Sequence, residues 1–246
     1  MEQKNKKETD NITKNGNKII ATLWRIVFYI TGMLVLAFGI ILNTKSGLGV
    51  SPLISVSFVA SHILNQNFGD MTLVLYSSYI IIEIVIHLLR KKYKNILFDL
   101  LQFPVSLVFT RVMNLFGGFI PELATECQGL FWGGLTGRIL ALLVAFLLTG
   151  LGIVLTVNMK IIPNPGDGVV STVADYAGKN IGFMKNVFDI TSVIISVFAG
   201  ILLLGKPVGI GIGTLLAAIL IGRIVALFNG LFGKKMKCLA GLPETV

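Results

Sequence analysis

Charged residues are scarce in this chain: they make up 13% of its 246 residues, against about a quarter in typical soluble domains. Histidine and cysteine are scarcer, with two of each. These few residues have no metal-ligand spacing, and the hydrolase and zinc-protease motifs G-x-S-x-G and H-E-x-x-H do not occur in the sequence. The sequence therefore predicts a protein that is not an enzyme and that needs no metal and no cofactor.

Hydrophobic residues, in contrast, make up 54% of the chain. Six apolar stretches are long enough to cross about 30 Å of hydrocarbon as helices that rise about 1.5 Å per residue. They cover residues 21–43, 71–89, 96–116, 132–157, 187–204 and 208–232. An all-α, polytopic membrane protein that contacts the lipid bilayer is predicted.

The formal net charge of +9 indicates orientation rather than binding to nucleic acid, because the positive residues cluster at the ends of the apolar stretches. By the positive-inside rule, both termini are expected to be cytoplasmic. This agreement requires the segments after the first and fourth spans to return to the side from which they came. The basic clusters are Lys4, Lys6, Lys7, Lys14 and Lys18; Arg90, Lys91, Lys92 and Lys94; Lys179 and Lys185; and Lys234, Lys235 and Lys237.

The segments outside the spans complete the predicted organisation. Residues 1–20 are expected to form a disordered basic cytoplasmic tail, since they are polar and contain no signal-peptide cleavage site. Residues 117–131 form an extracytoplasmic connector, and residues 234–246 a second cytoplasmic tail. Cys127 and Cys238 then lie on opposite sides of the bilayer, so no disulfide is expected.

The chain also contains an internal repeat, with a first unit at 21–116 and a second at 132–233. A shift of 113 residues places Arg25 on Arg138 and Gly39 on Gly152, and without a gap also aligns two prolines and two Asn-x-Gly sequences further on. Each unit holds three spans and one broken segment. Because three is an odd number, the second unit enters the membrane upside down, which gives two inverted-topology repeats as in many secondary transporters.

The two broken segments are SGLGVSPLISVSFVASHILNQNFG and MKIIPNPGDGVVSTVADYAGKNIG. In each, a good N-cap residue, Ser51 or Asn164, precedes a proline, Pro52 or Pro165, that suits the first helical position. The helices that follow are expected to stop at the two aligned Asn-x-Gly sequences, and they are too short to span a bilayer. We expect re-entrant half-helices whose N-termini meet near the midplane and bind an anion or a polar solute. The alternative is a pair of short helices that lie flat on the membrane surface.

Further polar residues extend this predicted substrate site, and each has a second interpretation. Asp167 either caps its helix or faces a cationic ligand or a proton. Gly166 and Gly168 allow the backbone to approach a ligand or another helix. The side chains of three residues before the broken segments either line the cavity or satisfy freed backbone carbonyls. These three are Asn43, Thr156 and Asn158.

Four more polar residues lie inside the predicted spans. Glu83 and His87 are four residues apart and share a helix face, so they either relay protons or are solvated beside the basic loop that follows. Arg111 and Arg223 match across the repeat and either face the solute path or reach the membrane interface. For Arg25 and Arg138, reaching the interface is the favoured interpretation.

The sequences SGLGVSPLISVSFVAS, NPGDG and PVGIGIGTLLAAILIGRIV resemble those of small bacterial membrane proteins of the YczE and YitT type. The resemblance covers most of residues 21–232 and implies a multi-span fold in the bacterial cytoplasmic membrane. In that family a Gly-rich turn is followed by G-P-W-D or a similar sequence. Here Ser51-Pro52-Leu53-Ile54 lacks the Trp and the Asp, and Asp167 supplies an acid in the second half only.

The sequence therefore predicts a membrane transporter for a small polar or anionic solute. One alternative is a non-transporting membrane subunit that binds a partner protein, and another is a passive channel. Association with a second copy of the chain is also left open. A transporter requires a polar cavity between the two halves, whereas a scaffold subunit can be packed solid there.

Overall fold

A computed structural model describes residues 2–243 and their side chains from Lys18 onward. The predicted disordered tail, residues 1–20, consists largely of residues whose side chains the structure does not describe. Eight α-helices follow one another in the described residues, with 3₁₀ turns at Pro52–Ile54 and Phe131–Gly133. The helices are α1 (Glu2–Lys45), α2 (Ser55–Leu64), α3 (Phe68–Leu89), α4 (Tyr93–Phe119), α5 (Leu135–Val157), α6 (Pro165–Ala177), α7 (Ile181–Leu204) and α8 (Ile212–Leu239).

Six of these helices are long and apolar enough to cross a membrane: α1 from Lys18, α3, α4, α5, α7 and α8. The six predicted spans are thereby confirmed, and the chain is a multi-pass membrane protein. Large apolar side chains are exposed along all six helices, as contact with lipid requires. The other two helices, α2 and α6, are the short segments that follow α1 and α5.

The centre of the bundle is the antiparallel crossing of α1 and α5. At this crossing Gly39 and Gly152 let the two backbones approach closely. A Cβ at Gly39 would lie 2.7 Å from the backbone nitrogen of Thr149, and a Cβ at Gly152 would lie 2.6 Å from that of Leu36. Around this pair, α4 packs on α1 and α8 on α5, while α2 packs on α7 and α6 on α3.

The bundle has two chemically distinct ends. We call the end that carries the α3–α4 loop, residues 90–92, the basic end. Both α5 and α6 end there, because residues near their C-termini line one cavity together with that loop. We call the other end the connector end, because it carries residues 120–134. There Lys45, at the end of α1, forms an ion pair of 2.9 Å with Glu122.

Two arginines join the ends of α1 and α5 to each other. Arg25 donates to the carbonyl oxygens of Met159 and Lys160, at 2.9 and 3.4 Å. Arg138 donates to those of Ser46 and Gly47, both at 2.7 Å. Each arginine therefore binds loop carbonyls of the opposite sequence half. The sequence predicts for both only that their side chains reach the membrane interface.

The short helices begin and end for local reasons. Asn164 caps α6 as predicted, because its side chain accepts from Gly166 N at 3.0 Å. Ser51 occupies the N-cap position before Pro52 as predicted, but its side chain makes no capping bond and the chain first forms the tighter 3₁₀ turn. The helices end at Asn65 and Gly178 in the left-handed conformation, earlier than predicted. The expected stop residues Asn67 and Asn180 instead precede α3 and α7 as N-cap residues.

Candidate functional site

Both half-helix starts line a single cavity of about 240 Å³, which we call the central cavity. Ser51 and Pro52 contribute from the 3₁₀ turn before α2, and Asn164 and Asp167 from the start of α6. Its walls also include residues of α1 and α5 next to their crossing. Four of the residues predicted to bind solute are thus brought together from distant parts of the sequence.

The two starts also contact each other directly. A Cβ at Gly166 would lie 2.6 Å from the side chain of Leu53, so only glycine allows the first turn of α6 to pack against the 3₁₀ turn. Pro165 lines a narrow cavity of about 20 Å³ beside Asn164 and the buried Tyr76. Tyr76 and Asn164 line the central cavity as well.

A second, larger cavity of about 630 Å³ lies between α3, α4, α5 and α6, and we call it the basic-end cavity. Exposed residues of the α3–α4 loop, of the first turn of α4 and of α6 line it, among them Lys92, Asn95 and Asp175. Asp167 lines both this cavity and the central one. Asp167 is therefore part of the wall that the two spaces share.

The central cavity carries charges of both signs. Asp167 and Asp189 supply carboxylates, and Lys185, one turn before Asp189 on α7, lies 3.5 Å from it. Two carboxylates against one ammonium group oppose an anion in this space. The N-terminal turns of the two short segments add the partial positive charge of their helix dipoles.

Glu83 and His87 are buried, with 2% and 8% of their surfaces exposed. The interpretation that both are solvated beside the basic loop therefore does not hold. They do not form the predicted pair with each other, and each is bound to a residue of α4. Gln102 Nε2 donates to Glu83 Oε2 at 2.9 Å, and His87 Nδ1 lies 2.6 Å from Asp99 Oδ2. All four residues line the basic-end cavity.

The three polar residues before the broken segments have separate roles. With its amide oriented so that both atoms find partners, Asn43 donates to Gly49 O at 2.8 Å and accepts from Ser51 N at 3.3 Å. Asn43 thus satisfies the backbone of the broken segment. Thr156 lines the basic-end cavity, and its hydroxyl donates to Gly152 O at 2.9 Å. The Asn158 side chain donates to Val154 O and to Asn229, away from both cavities.

The matched arginines Arg111 and Arg223 do not line either of these cavities. Arg111 forms an ion pair of 2.7 Å with Asp70, at the first turn of α3, and about half of its side chain is exposed. Arg223 is exposed on α8. A role for either arginine in binding solute stays a prediction.

An ion-pair cluster holds α6 at the mouth of the basic-end cavity. Asp175 Oδ2 lies 2.6 Å from Arg90 and 2.8 Å from Lys92, both in the segment that joins α3 to α4. The hydrogen bond from Lys92, together with the nearby Arg90 guanidinium, lowers the pKa of Asp175 from its ordinary value. The cluster therefore ties the C-terminal turn of α6 to this loop at neutral pH.

Sequence reasoning missed four residues of these cavities: Tyr76, Asp99, Gln102 and Asp189. A signal for the two acids was present, because an ionisable residue inside an apolar span indicates a functional site. Asp99 and Asp189 both lie inside or beside predicted spans, within α4 and α7. Tyr76 and Gln102 give no such signal, since only the fold places them next to Asn164 and Glu83.

Comparison with protein-family models matches residues 23–230 to a family described as "Family of unknown function (DUF6198)". No curated protein and no solved structure matches the chain. The matched region contains all six apolar spans except the ends of the first and last, and both half-helix starts. The chain therefore belongs to this family, DUF6198.

Proposed function

We propose that this protein is a carrier that moves a small polar solute across the membrane through the central cavity. The observation on which the proposal depends is that the 3₁₀ turn before α2 and the start of α6, which come from different halves of the sequence, line the same space. Helix N-termini and irregular backbone at membrane depth are stable only where protein or a wet cavity satisfies them. Secondary transporters place their solute sites at such broken helices.

The carrier is built from two inverted repeats, 21–116 and 132–233, each with a re-entrant half-helix. Reciprocal contacts support this architecture. Arg25 binds the carbonyls of residues 159 and 160, and Arg138 binds those of residues 46 and 47, which are the same positions shifted by 113. Gly39 and Gly152 meet residues 149 and 36 in the same reciprocal manner. Because α1 and α5 run antiparallel, a two-fold relation between the halves inverts one of them.

Unequal access from the two ends favours a carrier over a passive channel. The basic-end cavity adjoins the central cavity at Asp167. The equivalent space at the connector end is filled by contacts: Ser55 Oγ lies 2.8 Å from Ser196 Oγ, and Val50 N donates to Gly209 O at 2.8 Å. One end accessible and one end closed is the arrangement expected for one state of an alternating-access carrier.

The chemistry of the central cavity favours a solute that carries a positive group. Asp167 and Asp189 attract a cation, and Asp167 lies where the solute arrives from the basic-end cavity. Lys185 and the positive dipole ends of the two short segments suit an anionic or carbonyl group on the same molecule. A small zwitterion or ammonium compound fits better than the simple anion that the sequence first suggested.

The resemblance to YczE- and YitT-type proteins supports the bacterial cytoplasmic membrane as the location. The clusters at 90–94 and 234–237, and the basic residues before the first and fifth predicted spans, then face the cytoplasm together with both termini. The basic-end cavity opens to the cytoplasm in this orientation.

The proposal is tested by ligand-dependent thermal stabilisation of the purified protein, using panels of small zwitterions, amines and carboxylates. Asn164→Ala and Asp167→Asn are expected to remove most of the stabilisation, and uptake by cells, while expression is kept. Asn180→Ala is the matched control, because Asn180 caps α7 through Gly182 N at 2.7 Å but lines neither cavity. Unchanged binding and uptake in both variants would overturn the proposed site, and carboxylates as the only ligands would overturn the solute class.

A further inference from the structure

The acid–amide pair Glu83–Gln102 is a site that the central cavity does not explain. Both side chains are almost fully buried, at 2% and 1% exposed, between α3 and α4. Glu83 Oε2 accepts from Gln102 Nε2, whereas Glu83 Oε1 and Gln102 Oε1 have no hydrogen-bond partner. A buried carboxylate with a single donor and a second acceptor left unpaired beside it is costly unless a positive charge joins the pair.

The groups around Glu83 do not supply that charge. On α3 itself, His87 lies one turn away and is bound to Asp99 of α4 at 2.6 Å. From α6, the first turn brings Asp167 alongside, and Asp175 is already held by Arg90 and Lys92 at the mouth. Lys160, at the end of α5, also lines the cavity, together with Lys92. Glu83 therefore shares the cavity wall with the carboxylate of Asp99, and neither Lys92 nor Lys160 forms an ion pair with Glu83.

A proton fits this site better than a metal ion does. Hard cations such as Ca²⁺ take about six to eight oxygen ligands, and Mg²⁺ takes six. Glu83 and Gln102 offer two unpaired oxygens, and among the described residues no group of three His, Cys, Asp or Glu side chains is placed to hold a metal. One proton on the Glu83 carboxylate neutralises its charge and supplies a donor where two acceptors now lack one.

The pair also contacts α6 directly. A Cβ at Gly168 would lie 2.7 Å from Glu83 Oε1 and 2.9 Å from Oε2, so the first turn of α6 rests on this carboxylate. Gly168 adjoins Asp167, which lines both cavities. At the positions shifted by 113 in the repeat, Ser55 and Ser196 make the corresponding contact between α2 and α7, with two neutral hydroxyl groups. Of these two contacts, only the one between α6 and Glu83 contains a group that can gain or lose a charge.

We propose that Glu83 binds the coupling proton of this carrier, and that its protonation keeps α6 packed against α3. The proton comes from water in the basic-end cavity and returns to water, and no other bond changes. When Glu83 ionises, the carboxylate needs more donors than Gln102 supplies, so the first turn of α6 moves away and admits water. The coupling of this proton to transport rests on the proposed carrier function, but proton binding by Glu83 and the response of α6 do not.

The proton site is tested on the purified full-length protein without any solute, by infrared difference spectroscopy over about pH 5 to 9. This range covers the pKa values that buried carboxyl groups reach in proteins and the ordinary pKa of histidine. The wild type is expected to show the carbonyl band of a buried protonated carboxyl group, which disappears as the pH rises. Glu83→Gln is expected to lose this band entirely. Glu126→Gln, which changes an exposed glutamate of the connector in the same way, is expected to keep it.

Gln102→Ala is the second variant, because it leaves the carboxyl group in place if Glu83→Gln does not fold. It is expected to keep the band and to move the midpoint of its disappearance. A band that survives in Glu83→Gln and is lost in Asp99→Asn would overturn the assignment to Glu83. A band that depends on Na⁺ or K⁺ at fixed pH would also overturn it, because the bound charge would then be a metal ion.

The response of α6 is tested with a nitroxide label on Ser171→Cys, which lines the basic-end cavity, in a Cys127→Ser, Cys238→Ser background. The label is expected to become more mobile as Glu83 ionises, and in Glu83→Gln to keep its low-pH mobility at every pH. An equal pH response in both proteins would overturn the link to α6. Because no solute is present, these outcomes are separate from the binding and uptake results that test the central cavity.

Discussion

At the scale of single residues, two glycines determine how closely the central helices approach. Replacing Gly39 or Gly152 by alanine places a methyl group within 3 Å of backbone atoms of the facing helix, which cannot rotate away as a side chain can. We expect each substitution to destabilise the protein by about 1–3 kcal/mol, the usual cost of overpacking a tight contact. Thermal unfolding of the purified variants measures this loss.

Gly222→Ala is the control for both substitutions, because Gly222 lies in α8 and a Cβ there would meet no heavy atom within 4 Å. This variant is expected to unfold at the wild-type temperature or slightly above it, since alanine favours helix by up to about 1 kcal/mol over glycine. Equal melting temperatures for all three variants would contradict the close crossing of α1 and α5.

Residue roles were predictable from the sequence where they depend on local chemistry. The cap formed by Asn164 follows from residue type and position alone. The burial of Glu83 could not be predicted in this way, because the basic loop that begins at Arg90 also made solvation an acceptable interpretation. Only the packing of α4, which brings Gln102 and Asp99 against α3, decides between the two.

At the scale of elements, the short helices α2 and α6 make a topological prediction. If each returns to the end where the preceding span finished, single cysteines at Gln66 and Glu126 react from one side of the membrane. Cysteines at Lys92 and Lys179 then react from the opposite side. The measurement is labelling with a membrane-impermeant thiol reagent in intact cells and in inverted vesicles, after replacement of Cys127 and Cys238 by serine.

We expect positions 66 and 126 to be labelled in intact cells, and positions 92 and 179 only in inverted vesicles. This pattern combines re-entry with cytoplasmic termini. The same grouping with the two sides exchanged would contradict the orientation and keep the re-entry. Labelling of 66 and 126 from different sides would contradict re-entry of α2, and labelling of 92 and 179 from different sides would contradict re-entry of α6.

The long helices were easier to predict than the ends of the short ones. Six apolar runs contain enough residues to set the number of spans without any tertiary information. The starts of α6 and of the 3₁₀ turn before α2 follow from their prolines. Their ends were predicted too late, because an asparagine near a boundary can stop one helix or cap the next, and the cap at Asn180 depends on where α7 begins.

At the scale of the whole molecule, the two halves that we propose to be repeats do not pack in the same way. The contact between α6 and α3 borders an accessible cavity, whereas the equivalent contact between α2 and α7 is closed. Sequence comparison of the halves predicts the shared plan, because matched residues mark it. It does not predict which half is closed, since in the proposed carrier that depends on a small free-energy difference between two packings of the same helices.

The closed contact offers a way to hold the molecule in one state. Ser55 and Ser196 are buried with their hydroxyl oxygens 2.8 Å apart, so cysteines at these positions are close enough to form a disulfide when oxidised. In a carrier, the bridge keeps the connector end closed and leaves the basic end accessible. A third cysteine, at Asp167, reports access because this position lines both cavities.

With the bridge reduced, the cysteine at position 167 is expected to react with an impermeant thiol reagent from both sides of the membrane, since the carrier alternates between its states. With the bridge oxidised, it is expected to react only from the side of the basic end, at an undiminished or higher rate. Mass spectrometry verifies that residues 55 and 196 are the bridged pair. Access from both sides that survives oxidation would mean that the α2–α7 contact does not close the path, and access from one side under both conditions would contradict alternation between two states.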